Sequence, residues 1–385
     1  MAYDFSENDE LKMLRETISE FARKQIEPKA RELDRDETFS YDLTRQMGEL
    51  GLFGTIVSPE YGGQGMDYIS YIVAVEELAK VDSSQAATIA AHNSLGVAPI
   101  FYYGTEEQKK KFLPDLCRNS LWAFGLTEPS AGSDAQASKT TAVYDSARDE
   151  WVINGSKLWI TNSATDITKG ITVQAVTGKQ SDNGVELSCF LVPSGTKGLT
   201  CRAMKDKMVW RASNTGELYF DNVRVPSQNM LGKRGQGFKI MMDTLDGGRL
   251  SIGAMGLGLA KGALGLTLAY AKERKTFGKP LVKHQGVAFK LAEMATRIEA
   301  AESLLYKACW LKQNHLPFQK QAAMAKLYCS ELAEFCAREG QQTFGGYGLM
   351  KEYPIERHYR DAALLRIGEG TSEIQRLVIS RYLGC

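Results

Sequence analysis

Near the C-terminus a glutamate precedes a glycine and two hydroxyl residues, in the run Glu369-Gly370-Thr371-Ser372-Glu373-Ile374-Gln375. A carboxylate here has two uses. It can stabilise the start of a final helix, because acids near a helix N-terminus are favoured. It can also act as a base, because burial against apolar neighbours raises a carboxyl towards neutral pKa and fits it to remove a proton. Metal chemistry finds no support: the histidines at 92, 284, 315 and 358 lie far apart and show no ligand spacing. The seven cysteines, at 117, 189, 201, 309, 329, 336 and 385, form no CxxC pair and are odd in number. A reducing cytoplasm suits them better than a disulfide framework.

Four further stretches mix polar side chains with glycine. Thr127-Glu128-Pro129 with Gly132-Ser133 reads by itself as a polar turn, yet its small residues would let backbone N–H groups approach a ligand. Trp159 and Thr161 alternate along a strand pattern and share a face; taken alone, Trp159 is a core residue. Arg274-Lys275-Thr276-Phe277-Gly278 follows a helical stretch and carries an arginine that would ordinarily be solvated. Asp246-Gly247-Gly248-Arg249 is expected to open a long helix, with Asp246 as its cap. Gly256-Leu257-Gly258…Gly262 has a dinucleotide-loop spacing, but it lies inside a helical run with no strand before it. Asn154-Gly155-Ser156 matches a glycosylation sequon in a chain with no sign of secretion.

Three blocks must position these residues. The first, residues 1–120, is helical: Leu11, Leu14, Ile18, Phe21 and Ala22 keep the spacing of one buried face. Ser6 is placed to cap that helix, and Thr105 with Gln108 forms a capping box. The second block, 121–233, changes period. Asn154-Gly155 between two apolar runs predicts a hairpin turn, and 187–192 and 218–225 predict strands, each closed by a proline. A small β-barrel or sandwich fits better than βαβ units. The third block, 234–385, returns to helical spacing around 250–275, 284–312 and 320–340, as a helix bundle would. The fold class is α+β. The chain has 385 residues, net charge +1 and no run of 18 apolar residues, so neither nucleic acid nor membrane is an expected partner.

The stretches quoted, with Trp159-Ile160-Thr161-Asn162, His284-Gln285, Gly345-Gly346-Tyr347-Gly348 and Arg360-Asp361, resemble the acyl-CoA dehydrogenase family over nearly the whole chain. The resemblance implies FAD as cofactor and an acyl-CoA as substrate. It implies Glu369 as the base, with a helical N-terminal domain, a small middle β-barrel and a C-terminal four-helix bundle. By the same resemblance Phe124, Leu126, Thr127 and Ser133 line the flavin. Trp159 covers one side of its ring, Ile160 belongs to the same cofactor-binding set, and Thr161 bonds near its N5. Arg274, Phe277, Gln285 and the run Gln342, Thr343, Phe344, Gly345 and Gly346 reach the flavin of a neighbouring subunit. Thr371 and Glu373 complete the cofactor set. Ser133, Asp246, Arg249 and Gly370 contact the CoA substrate. A homotetramer, built as a dimer of dimers, and electron transfer to electron-transfer flavoprotein follow from the same likeness.

Some positions depart from the family pattern. Val209-Trp210 stands where a small turn residue is usual, and Gly368 replaces a bulkier residue before the base. The second departure leaves width near the reacting carbons. Relatives that take glutaryl-CoA hold its far carboxylate with an arginine on an early helix, and residues 85–92 contain none. A short, branched or cyclic acyl group is therefore expected. An acyl-CoA oxidase and a non-catalytic binding relative are the competing readings; the compact chain argues against the first and Glu369 against the second.

Overall fold

The computed structural model describes residues 8–179 and 184–385. The first block folds as α1 (Asp9–Phe21), α2 (Glu27–Asp36), α3 (Tyr41–Glu49), α4 (Tyr68–Ala79), α5 (Ser83–Ala91), α6 (Ala98–Tyr103) and α7 (Glu106–Leu116). Ser6 lies outside the described residues, and Asn8 caps α1 by accepting from the Leu11 N–H at 2.8 Å. The expected capping box is present on α7: Thr105 Oγ1 accepts from Gln108 N at 3.3 Å, and Gln108 Oε1 accepts from Thr105 N at 3.0 Å.

The middle block is one sheet of β1 (Leu121–Gly125), β2 (Thr141–Asp145), β3 (Glu150–Thr161), β4 (Thr168–Lys179), β5 (Val185–Pro193), β6 (Leu199–Ala203), β7 (Thr215–Pro226) and β8 (Met230–Leu231). Its strands follow the order β6-β7-β3-β2-β4-β5-β8, with β1 parallel to β4. Trp151, Ile153, Phe190, Val192, Leu218 and Val223 fill its inner face. The predicted turn at Asn154-Gly155 does not form. Both residues lie within β3, which pairs with β2 on one side and β7 on the other. The register shifts between Ile153 and Gly155, where the extra residue lies on the facing strand, β7, between Phe220 and Val223. Gly155 takes φ +145, and Asn154 Oδ1 accepts from Asn222 N at 2.7 Å. The reversal falls instead between Asp145 and Glu150.

The last block consists of α8 (Gly237–Glu273), the short pair β9 (Lys275–Thr276) and β10 (Lys279–Pro280), α9 (Gln285–Gln313), α10 (Gln319–Phe344), α11 (Ile355–Leu365) and α12 (Ser372–Leu383). Among the described residues α8 alone is long and apolar enough to cross a membrane, yet most of its apolar stretch is buried within the chain. It runs through the main core between α4 and α10, where Ile72, Val75, Leu257, Leu259 and Leu305 meet. Gly258 permits this crossing, because a Cβ there would overlap the Glu76 carbonyl oxygen of α4. The glycine spacing of α8 thus serves helix packing. Trp210 sits in the same core at φ +46, and its backbone N–H donates to Asp361 Oδ1 on α11 at 2.8 Å. The bulk at this departure position is absorbed by joining the sheet's 204–214 loop to the helices.

Close backbone approach at Gly258 and open space at Gly265 give a paired prediction. Gly258→Val should destabilise the protein by about 1–3 kcal/mol through overpacking. Gly265→Ala, exposed on α8 with no atom within 4 Å of its Cβ position, should stabilise it by roughly 0.5–1 kcal/mol. Denaturant midpoints of the two variants check both signs.

Candidate active site

Glu369 lies in the short connection between α11 and α12. The Leu364 carbonyl accepts from Ile367 N (2.9 Å) and Gly368 N (2.8 Å), ending α11. Glu369 and Gly370 then take φ +52 and +93. A left-handed glutamate is strained by about 1–2 kcal/mol, and the surrounding bonds hold it there. The Gly370 carbonyl accepts from Lys326 Nζ at 2.7 Å and from Gln375 Nε2 at 2.8 Å. Thr371, not Glu369, caps α12 by accepting from Ile374 N at 3.3 Å. The capping role considered for Glu369 is therefore taken by its neighbour, and its side chain is free to turn inward.

That side chain meets α8 at Gly248. A Cβ on Gly248 would overlap Glu369 Oε2, so the missing side chain is what makes room for the carboxylate. Glu369 as a residue keeps slight exposure, but Oε2 is fully buried and has no hydrogen-bond partner. Burial pushes its pKa up to about 7, against the opposing pull of Lys326 and Arg249. The Glu369 N–H donates to no group among the described residues.

Asp246 is a correction: it lies well inside α8, which begins at Gly237, and caps nothing. Instead it forms an ion pair with Arg249, one turn on. Arg249 is not a surface residue, being 6 % exposed, and its Nε has no partner. Tyr68 and Tyr71 of α4 stand nearby, their hydroxyls donating to the carbonyls of Gly247 (2.8 Å) and Ala90 (2.9 Å). Beside them opens a cavity of about 490 Å³, lined among others by Tyr68, Tyr71, Ser94, Asp246, Gly247 and Lys312. A Cβ on Gly368 would press on Leu364 Cδ2 at 3.1 Å, so any width gained there is shared with Leu364.

A second group gathers on the sheet. Leu158 N donates to Thr127 O at 2.9 Å, docking the 126–133 segment on β3. Lys157, also on β3, is buried and donates to Glu128 Oε1 (2.7 Å) and Leu126 O (3.1 Å). Glu128 further accepts from Ser138, Lys139 N and Thr140 N. Phe124 is the penultimate residue of β1, next to the segment, and Ser133 is exposed at its far side. Trp159 is 61 % exposed at φ +58, so it is no core residue. Thr161 follows two residues later, half-buried. Ile160 turns its side chain into the sheet core and can present only backbone to a ligand.

A third group borders a cleft of about 450 Å³, where Arg274, Thr343, Phe344, Gly345 and Gly346 come together. Arg274 has no carboxylate partner among the described residues; its guanidinium lies 5.6 Å from the Tyr347 ring. Phe277, 96 % exposed between β9 and β10, and Gln285 and Gln342, both exposed, stand outside the cleft lining. No hydrogen bond or ion pair among the described residues joins this group to the sheet group. Glu373 is exposed in the first turn of α12.

Sequence reasoning missed Lys326 and Gln375, which fix the Gly370 carbonyl, and it assigned nothing to Lys157. The available signal for Lys326 was a lone charge among Ala322, Ala323, Ala325 and Cys329, all buried.

A helical–sheet–helical chain with a buried, unpartnered carboxylate beside a cavity fits an enzyme that removes a proton from its substrate. The comparisons make the class specific. The chain matches the acyl-CoA dehydrogenase N-terminal domain over residues 8–120, the middle domain over 123–223 and the C-terminal domain over 235–384. It is 49 % identical to the probable acyl-CoA dehydrogenase YngJ of Bacillus subtilis, over 99 % of each chain. It superposes on butyryl-CoA dehydrogenase from Megasphaera elsdenii with a TM-score of 0.96 and 42 % identity, over 100 % of both chains. A chain from the structure described as the electron transferring flavoprotein of Acidaminococcus fermentans is 43 % identical, with a TM-score of 0.95 and 99 % coverage of both. The chain belongs to the acyl-CoA dehydrogenase family. FAD is the cofactor of this family. The residues present fit it: an exposed aromatic ring at Trp159 beside docked backbone, and an arginine without a carboxylate partner at a glycine-edged cleft suited to a pyrophosphate.

The raised pKa of Glu369 has a consequence for stability. An acid whose folded pKa lies above its unfolded value binds its proton more tightly when folded. Its contribution is fully present below about pH 4.5 and is lost as pH rises through about 7. Glu369→Gln should therefore gain stability relative to the parent as pH rises from 5 to 8, by on the order of 2–3 kcal/mol. Denaturant unfolding of both proteins at equal FAD content, across that range, measures the difference.

Proposed function

We propose that this acyl-CoA dehydrogenase converts a short, branched or cyclic acyl-CoA to the 2-enoyl-CoA, with Glu369 as the base and electron-transfer flavoprotein as the electron acceptor. The observation that carries the reading is the buried, unpartnered Glu369 Oε2 with its pKa pushed up to about 7. A carboxylate so placed has lost the hydration that weakens it as a base in water. It removes the proton from the carbon next to the thioester and holds it on Oε2. In this reading the Glu369 N–H donates to the thioester oxygen, where negative charge develops as the proton leaves. The chemistry FAD supplies when bound is acceptance of a hydride from the β carbon.

The remaining residues bind and orient. Phe124, Leu126, Thr127, Ser133, Trp159 and Thr161 form the flavin-facing surface, which the Lys157–Glu128 pair holds against β3. Asp246, Arg249, Ser133 and Gly370 meet the CoA portion. The 274–285 and 342–346 groups serve the flavin of a neighbouring copy in a homotetramer; their separation from the sheet group within one chain supports this division. Three domains, 1–120, 121–233 and 234–385, follow the change from helix to sheet and back. A cytoplasmic location agrees with seven unpaired cysteines.

Glu369→Gln preserves shape and removes the proton acceptor. FAD and acyl-CoA binding should survive while flavin reduction slows by about 10²–10⁴-fold; near-parental reduction in a rapid-mixing experiment would sink the assignment.

The substrate reading rests on Gly368 and on the absence of arginine from residues 85–92, which run along α5 to its C-cap at His92 and are mostly buried. An unpaired carboxylate buried there would cost several kcal/mol. Among butyryl-, isovaleryl-, cyclohexanecarbonyl-, octanoyl- and glutaryl-CoA, the first three should have the highest kcat/KM. Their mutual preferences should stay within about 1–3 kcal/mol. A tenfold advantage for octanoyl- or glutaryl-CoA would overturn this view of the pocket and leave the dehydrogenase class intact.

A further inference from the structure

Lys326 is fully buried on α10, among alanines and cysteines, and no carboxylate lies within ion-pair distance of its ammonium among the described residues. Its one hydrogen bond runs to the Gly370 carbonyl, at 2.7 Å. Isolating an ammonium in this way costs several kcal/mol, and a methionine would fill the same space without that penalty. The bond reaches the residue that follows Glu369. Gln375 Nε2 donates to the same carbonyl at 2.8 Å, and to the Glu369 carbonyl at 3.4 Å. The two donors pin both left-handed residues of the loop, and the Lys326 charge is the largest influence opposing the burial of Glu369.

We propose that Lys326 is a positioning residue for the reaction, one that aims the Glu369 carboxylate through the Gly370 carbonyl and sets beside it a positive charge that favours its ionised form. This rests on the reading of Glu369 as the base. The charged groups around the pair come from several elements: Arg249 on α8, Glu373 on α12, Glu331 on α10 itself, and the Tyr68 and Tyr71 hydroxyls of α4. Of these, only Lys326 and Arg249 bring positive charge to the carboxylate, and Arg249 is already neutralised by Asp246. Only the ionised carboxylate accepts a proton. A nearby cation lowers its pKa, so removing that cation moves the acid limb of the reaction to higher pH. Burial pushes Lys326 itself down to about 8, above the value of Glu369, so most of its charge is in place as Glu369 begins to ionise.

The test uses the FAD-loaded enzyme and follows flavin reduction by butyryl-CoA from pH 5.5 to 9 in Lys326→Gln, Lys326→Met and Lys326→Arg. Glutamine keeps a donor for Gly370 and removes the charge; methionine removes both. In Lys326→Gln the midpoint of the acid limb should rise by about one pH unit, with the rate recovering to within a few-fold of the parent at pH 9. Lys326→Arg should keep the parental midpoint. Gln375→Leu, which loosens the same carbonyl without changing charge, should slow reduction with an unmoved midpoint. An unshifted midpoint in Lys326→Gln, or a uniform loss at every pH, overturns the proposal even if Lys326→Met fails to fold. Active Glu369→Gln would instead overturn the base itself, so the two failures are distinguishable.

Discussion

A single carboxylate occupying space that a neighbouring helix leaves empty governs the site. Glu369 Oε2 lies where a Gly248 side chain would stand, without a hydrogen bond to satisfy it. An unsatisfied buried carboxylate is normally avoided, because it forfeits hydration and gains nothing. With Glu369 as the proposed base, that deficit is the property the proposed chemistry needs, since a base that is poorly solvated and near neutral pKa is a better proton acceptor. The structure holds this arrangement against the strain at φ +52 through two donors on the Gly370 carbonyl and through the cap that Thr371 gives α12.

Helix α8 ties that loop to the rest of the molecule. It carries Asp246, Gly248 and Arg249 at the site, then crosses α4 closely at Gly258 and packs along α10. Its 37 residues span roughly 55 Å at 1.5 Å each, long enough to reach both the cavity and the Arg274 cleft. Residues that look like a surface cap in a short window are therefore interior, because the helix begins nine residues before Asp246.

The sheet contributes its own buried ion pair. Lys157 and Glu128 have nearly no solvent contact, and Glu128 accepts from three further donors. A buried pair of this kind adds little net stability compared with apolar residues. What it does is fix a loop: it joins the 126–140 segment to β3 next to the exposed Trp159. Asp361 acts similarly on the 204–214 loop, and burial raises its own pKa to about 7.

The amino-acid sequence by itself determined the helical, sheet and helical order, the α1 face, the α7 capping box and the strands around 187–192 and 218–225, because periodicity and caps are local signals. It also singled out Glu369, Arg274 and Trp159 through motif likeness, and the family comparison agrees with that likeness at the level of the whole chain. Only the tertiary structure decided the rest. Asn154-Gly155 has turn chemistry, yet partners on both edges of β3 override it. Asp246 resembles a cap, yet α8 extends past it. Lys326 looks like any helical lysine until α10 packs and leaves its ammonium one acceptor. Burial, unpaired atoms and the space behind a glycine are properties of distant segments brought together, and no local window of sequence contains them.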